Sequence, residues 1–249
     1  MSFDSAWLQR RFPAREIHWY DSIGSTMTEA ARLAAAGCPD LTVVGADEQR
    51  AGVGRQGHTW HSEADAGIYV SLVIRRTLPA GAFPAVTLAF GLAARQAILE
   101  ATGVDCDLRW PNDLLVGTRK CCGILVNLES SGALVAGLGI NVNHDGFPEP
   151  LDPLATSLRL ASGRIHPREP LMAALLIAVD QRLESFAAAG VAPTLADFTA
   201  ASSYVRGRRV IVDETTTGTT AGLDAQGFLL LACDNGQTVR ILAGGVRPL

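Results

Sequence analysis

From residue 84 to residue 100 apolar side chains return at helical spacing, with Val86, Phe90, Ala94, Ala97 and Ile98 on one face. Pro84 suits a first turn and Gly103 lies beyond the last, so a helix is predicted over 84–100. The same period, carried by Leu171, Leu175, Val179, Leu183 and Phe186, predicts a long helix over 169–189. Shorter helices are predicted over 5–10, 27–36 and 193–202. Thr26 followed by Glu29 has the spacing of a capping box, which places Ser25 and Thr26 at a helix entrance, and Gly37 ends that run. Strands are predicted where apolar and β-branched residues cluster without that period, at 41–46, 67–74, 107–110, 122–128 and 134–142. The last three lie too close together for βαβ crossovers, which need a dozen or more connecting residues, so the sheet is expected to be antiparallel or mixed.

The pattern changes near Tyr204. Short strands at 208–213, 219–223, 228–232 and 238–242, separated by turns rich in Gly, Asp and Asn, replace the helices. They suffice for a small β-barrel that would lean on the larger unit. The expected fold is α+β, with one domain over 1–203 and a second over 204–249. The net charge of −4 and 18% charged residues give no general pull toward nucleic acid or an anionic membrane. No run of eighteen apolar residues occurs, and Met1-Ser2-Phe3-Asp4 lacks signal-peptide character, so a soluble, cytoplasmic protein is expected. The five cysteines are odd in number and lack C-x-x-C spacing, which favours reduced packing residues over disulfides or zinc ligands.

Four segments carry candidate chemistry. Gly52-Val53-Gly54-Arg55-Gln56-Gly57 has G-x-G-x-x-G spacing after a strand, yet no helical period follows and no acidic residue stands near position 72. That argues against a dinucleotide site and leaves an anion-binding loop. In Arg109-Trp110-Pro111-Asn112-Asp113, the proline keeps Trp110 out of the α region, so the chain turns and presents Asn112 and Asp113. Those two suit either a simple turn or the orientation of Mg²⁺ beside phosphates. Arg119 and Lys120 stand at the entrance of a buried strand, as a solvated turn or as cations for a phosphate. Gly137 and Gly139, alternating in a strand with Gly123 as partner, suggest one sheet face kept bare for close packing or for a ligand. His58 and His61 lack companions in sequence and read as loop residues. No metalloprotease, phosphate-loop or nucleophile-elbow motif occurs.

Taken in order, Ser25-Thr26, Gln49 to Gly57, Arg109 to Asp113, Lys120-Cys121-Cys122-Gly123-Ile124-Leu125 and Gly137-Leu138-Gly139-Ile140-Asn141 resemble the biotin protein ligases, from about residue 17 to the C-terminus. The resemblance implies a catalytic domain like that of class II aminoacyl-tRNA synthetases followed by an SH3-like barrel. It implies an enzyme that activates biotin with ATP and Mg²⁺, holds biotinyl-5′-AMP, and passes biotin to one lysine of a biotin carboxyl carrier domain. Carried onto this chain, it assigns Arg55, Lys120 and Asp113 to catalysis and Asn112 with Asp113 to the metal. Ser25, Thr26 and Gln49 fall on the biotin side. Gly52, Gly54, Gly57, Gly123, Gly137 and Gly139 allow close approach of ligand and backbone, Asn141 completes its motif, and Trp60 and Trp110 enclose the adenylate.

Three residues depart from the family pattern: Val53 for an arginine of the glycine-rich loop, Met27 for asparagine after Ser-Thr, and Asn127 for glutamate. The loss of one loop cation implies weaker retention of the adenylate. The residues before Glu16 are too few for the DNA-binding winged helix of the larger family members, so specific DNA binding is not expected. Either a monomer or a homodimer is compatible with the resemblance. A lipoate or octanoate ligase-like acyltransferase and a non-catalytic carrier-binding protein are the alternatives.

Overall fold

The computed structural model describes residues 2–78 and 82–249. In chain order the elements are α1 (Ser5–Arg11), β1 (Ile17–Tyr20), α2 (Thr26–Ala35), β2 (Val43–Ala46), β3 (Gly67–Ile74), α3 (Phe83–Thr102), β4 (Asp107–Arg109), β5 (Asp113–Val116), β6 (Arg119–Leu128), β7 (Leu134–Asn141), α4 (Leu158–Ser162), α5 (Arg168–Ala189) and α6 (Ala192–Ala201). They are followed by β8 (Arg206–Val212), β9 (Thr216–Leu223), β10 (Leu229–Cys233), β11 (Thr238–Ile241) and β12 (Val246–Pro248). The chain is α+β, and its strands form a seven-stranded sheet in the order β1-β2-β3-β7-β6-β5-β4 and a five-stranded one in the order β11-β10-β9-β8-β12. The larger sheet is mixed, because β1 pairs with β2 in parallel and every other neighbour is antiparallel.

Both faces of the large sheet are covered, and strand alternation shows how. Val43, Leu72, Ala136 and Leu138 point into the main core with α3 and α5, whereas Val44, Val73 and Val135 meet Met27, Ala30 and Leu33 of α2. Burial on both sides explains why 67–74 reads as an apolar run broken only at Ser71. On the α2 side, β7 continues from Val135 to Gly137 and Gly139, so the face that the helix covers becomes bare beyond its end. All five stripe residues expected on α5 are fully buried, and α3 ends on Gly103 at a φ of 74°. Tyr204, Val210, Leu229, Leu231 and Val246 join the same core, so the C-terminal sheet packs on the larger unit.

Several expectations are corrected. The three-residue β12 and the four-residue β1 escaped notice because such short strands carry too few positions for a period. The turn expected around Pro111-Asn112-Asp113 is shorter than the motif, since β5 already starts at Asp113. The capping box is absent: Ser25 is the N-cap of α2, its side chain makes no capping bond, and Glu29 turns to Arg32 and Tyr20 instead. The five cysteines are free thiols, four of them buried, and Cys106 and Cys121 touch at 3.7 Å. Among the described residues no helix is long and apolar enough to cross a membrane.

Candidate active site

The bare face becomes a cleft because glycines meet across strands. Gly123 of β6 stands opposite Gly139 of β7, and Leu125 opposite Gly137. A Cβ on Gly139 would lie 2.3 Å from the Trp60 ring, one on Gly123 2.8 Å from it, and one on Gly137 2.5 Å from the Met27 sulfur. Only glycine permits these approaches. Trp60 therefore rests on a floor of backbone, and its indole N–H is buried without a hydrogen-bond partner. The free space left in the cleft, about 50 Å³, is small because the ring occupies it. Beyond Trp60 lies a larger cavity of about 790 Å³ that shares Gln49, Gly52 and Trp60 with the cleft or its rim.

Trp60 arrives by way of the glycine-rich loop. The loop doubles back, with the Gly54 N–H donating to the His58 carbonyl at 2.7 Å and the Trp60 N–H to the Gly52 carbonyl at 2.9 Å. Gln56 and Gly57 adopt positive φ values of 55° and 78° at its tip. No helix follows and β2 runs antiparallel to β3, so the dinucleotide reading fails on geometry as well as on sequence. Gly52 is needed because a Cβ there would lie 2.6 Å from the Trp60 carbonyl oxygen. Val53 lies at the edge of the cleft and is 46% exposed.

A polar relay runs along the other wall. Ser71 donates to the Thr26 hydroxyl at 2.9 Å, the Thr26 hydroxyl and N–H both donate to Gln49 Oε1 at 3.1 and 2.9 Å, and Gln49 Nε2 donates to Ser62 at 2.9 Å. The hydroxyl expected to cap α2 thus serves the cleft. Ser25 is buried beside it with a hydroxyl that has no partner.

The cations are set by an irregularity invisible in the sequence. Leu114 pairs with Cys122 but Leu115 pairs with Lys120, so Cys121 is the extra residue of a bulge. Positions 120 and 123 would face opposite ways in a regular strand. The bulge brings them together, and the Lys120 ammonium lies 3.0 Å from where a Gly123 Cβ would stand and 5.3 Å from the Trp60 ring centre. Lys120 Nζ is 2.5 Å from Asp113 Oδ1, and Arg109 Nη2 is 2.6 Å from Asp113 Oδ2. Burial by itself would raise the Asp113 carboxyl, but the charges of Lys120 and Arg109 outweigh it and hold the group below the usual carboxylate range. Burial pushes Arg55 somewhat down, opposed by Asp113 and Asp213; a guanidinium remains charged all the same. Arg55 donates to Asn112 Oδ1 at 3.0 Å, and Asn112 Nδ2 donates to the Ile124 carbonyl at 2.9 Å.

The sites expected from sequence therefore divide. Thr26, Gln49, Gly54, Arg55, Trp60, Asn112, Lys120, Gly123, Gly137 and Gly139 line one cleft, with Ser25, Gly52 and Asp113 directly behind. Gly57 lies at the loop tip. Trp110 is elsewhere: it is 3% exposed in the main core and its indole donates to the Gly227 carbonyl of the C-terminal sheet at 3.0 Å. Asn141 holds the Thr156 carbonyl at 3.0 Å. Direct Mg²⁺ ligation does not fit Asn112 and Asp113 as they stand, because both Asp113 oxygens meet cations and Asn112 Oδ1 meets Arg55. The Asp113 carboxylate instead anchors the Lys120 ammonium through their ion pair. Arg109, Ser62 and Ser71 belong to the site and were missed; only the direct β4–β5 pairing of Arg109 with Asp113 could have signalled the first.

Residues 19–145 match the model of the "Biotin/lipoate A/B protein ligase family", and residues 205–246 that of the "Biotin protein ligase C terminal domain". The chain belongs to this ligase family. A family member from Bacillus spizizenii, the bifunctional ligase/repressor BirA, is 33% identical over 240 residues, 92% of this chain and 73% of its own length. The biotin–[acetyl-CoA-carboxylase] ligase of Mycobacterium tuberculosis is 33% identical over 241 residues, 93% of this chain and 88% of its own. Among solved structures, the Aquifex aeolicus biotin protein ligase in complex with biotin and ATP superposes with a TM-score of 0.83 at 27% identity, covering 94% of this chain and 99% of that one. The family's α+β catalytic unit with an antiparallel C-terminal sheet is the architecture described above.

Proposed function

We propose that this ligase activates biotin with ATP and transfers it to a lysine of a biotin carboxyl carrier domain. The observation that carries the reading is the glycine-floored cleft, with Lys120 fixed over its floor by Asp113 and Arg55 at its edge. In the first step a biotin carboxylate oxygen attacks the α-phosphorus of ATP, supplied as its Mg²⁺ complex. The bond from that phosphorus to the bridging oxygen breaks, and pyrophosphate leaves with biotinyl-5′-AMP formed. Two anions meet in this step. Lys120 and Arg55 offset their repulsion, and because Lys120 is already held by Asp113 it needs no reorganisation as charge develops. In the second step a neutral lysine amine attacks the anhydride carbonyl, AMP departs, and the amine loses a proton.

Ser25, Thr26 and Gln49 hold the biotin side. The unpartnered Ser25 hydroxyl and the unpartnered Trp60 N–H are the groups a ligand would satisfy. Trp60 would leave the glycine floor to admit biotin and then cover the adenylate, excluding water between the steps. Residues 1–203 act as the catalytic domain, related in fold to class II aminoacyl-tRNA synthetases, and 204–249 as an SH3-like domain. The carrier domain is the partner and the cytoplasm the place of action. The test incubates the protein with ATP, Mg²⁺, a carrier domain and either biotin or lipoate, and reads the carrier's intact mass. A biotin-sized adduct on one lysine is expected; a lipoyl adduct only, or none with either acid, would overturn the proposal.

A further inference from the structure

Beyond the cleft, His144 stands just past the end of β7. It is fully buried and stacks on Phe147 at 5.1 Å between ring centres. Its Nε2 lies 3.2 Å from the Tyr69 hydroxyl, and that hydroxyl gives its single proton to the Glu63 carbonyl oxygen at 2.9 Å. In the histidine contact the hydroxyl oxygen therefore accepts, so Nε2 carries the ring proton and Nδ1 keeps a lone pair. Nδ1 is buried and has no hydrogen-bond partner. A buried lone pair without a donor calls for an explanation.

Its neighbours supply one. His61, Glu63 and His144 each offer a ligand atom, and the three atoms lie within 4.8 Å of one another. The His61 and His144 ring centres are 6.0 Å apart, and His61 Nε2 is 3.9 Å from Glu63 Oε2. A tetrahedral ion with bonds of about 2.0–2.2 Å needs donors roughly 3.3–3.5 Å apart. The side chains of His61 and Glu63 are 34% and 50% exposed and can turn to close that gap, while His144 is held by Tyr69 and Phe147. We propose that His61, Glu63 and His144 bind a divalent transition-metal ion of the Zn²⁺ class. Two imidazoles and one carboxylate suit such an ion rather than Mg²⁺ or Ca²⁺. The Tyr69 hydroxyl fixes the ligating tautomer of His144, the usual task of a group behind a metal-binding histidine. The cavity of about 790 Å³ lined by His61, Glu63 and Phe147 leaves room for a water as fourth ligand. A bound ion would tie the segment that carries Trp60 to the end of β7.

The test titrates the untagged, metal-free protein with Co²⁺ and reads its visible absorption, then adds Zn²⁺ as competitor. One Co²⁺ per chain is expected, with d–d bands, no thiolate-to-cobalt charge transfer, and displacement by Zn²⁺. His61→Ala and Glu63→Gln alter partly exposed side chains and leave buried His144 in place; each is expected to weaken Co²⁺ binding by about tenfold to a hundredfold or more. Absence of stoichiometric binding, a thiolate band from the cysteines, or unchanged affinity in both variants would overturn the assignment.

Discussion

Trp60 and Trp110 are both large indoles beside glycine-containing segments, and they serve opposite ends. Trp110 sits in the main core with its N–H satisfied by Gly227, where it joins the C-terminal sheet to the larger unit. Trp60 lies on Gly123 and Gly139 with its N–H unsatisfied, held by a loop rather than by a core. The seam is complete as it stands; the cleft has polar groups left over. A buried polar atom without a partner is costly, and in the cleft it marks where a ligand completes the structure. Burial already separates the two rings, Trp110 being buried and Trp60 only partly so, and hydrogen-bond accounting gives the difference its meaning.

Breaking the seam should have the largest effect on folding. Trp110→Ala is expected to lower unfolding free energy by about 3–5 kcal/mol in urea titrations, and Trp110→Phe, which keeps most of the packing, by about 1 kcal/mol or somewhat more. Equal small losses in both would show that the ring does not hold the seam. Breaking the cleft should instead leave folding intact: Lys120→Ala is expected to cut adenylate formation by about 10²- to 10³-fold in pyrophosphate exchange. Near-normal exchange in a folded variant would remove Lys120 from its role. For Gly139→Ala, crowding of Trp60 should weaken biotin binding by about tenfold, the scale of an overpacked contact, and change the Trp60 emission. Val53→Arg restores a loop cation at an exposed position, and a two- to fivefold slower release of bound adenylate, roughly the worth of an exposed ion pair, is expected. An unchanged release rate would separate loop charge from retention.

The smallest effect concerns acid. Because the folded Asp113 pKa is depressed, its stabilising contribution is fully present above the ordinary value of 3.8 and is lost as pH falls through the lower folded value. The stability gap between the wild type and Asp113→Asn should stay constant above pH 3.8 and narrow below it. A gap that closed already near neutrality would contradict the ion-pair assignment.

Much of the scaffold was legible because its signals are local. The stripes of α3 and α5 needed only a 3.6-residue period, and the almost wholly apolar run of β3 needed only a sheet buried on both faces. The glycines of β7 were also legible, since alternation alone puts Gly137 and Gly139 on one face. What escaped depends on pairing between distant segments. The bulge at Cys121 turns Lys120 toward Gly123 only because β5 pairs as it does. Thr26 leaves its capping role only because Gln49 and Ser71 lie within reach. His61 read as a loop residue because its partner, His144, arrives from the far end of β7. Trp110 was assigned to the ligand because a motif shows which residues travel together, and says nothing of which way a ring points.

The measurement closest to the central claim is pyrophosphate exchange into ATP by the wild-type protein, run with biotin, with lipoate and with neither acid. Exchange that requires biotin and is absent with lipoate is the expected result. Exchange supported by lipoate rather than biotin, or by neither, would contradict the account of the glycine-floored cleft as a site of biotin activation.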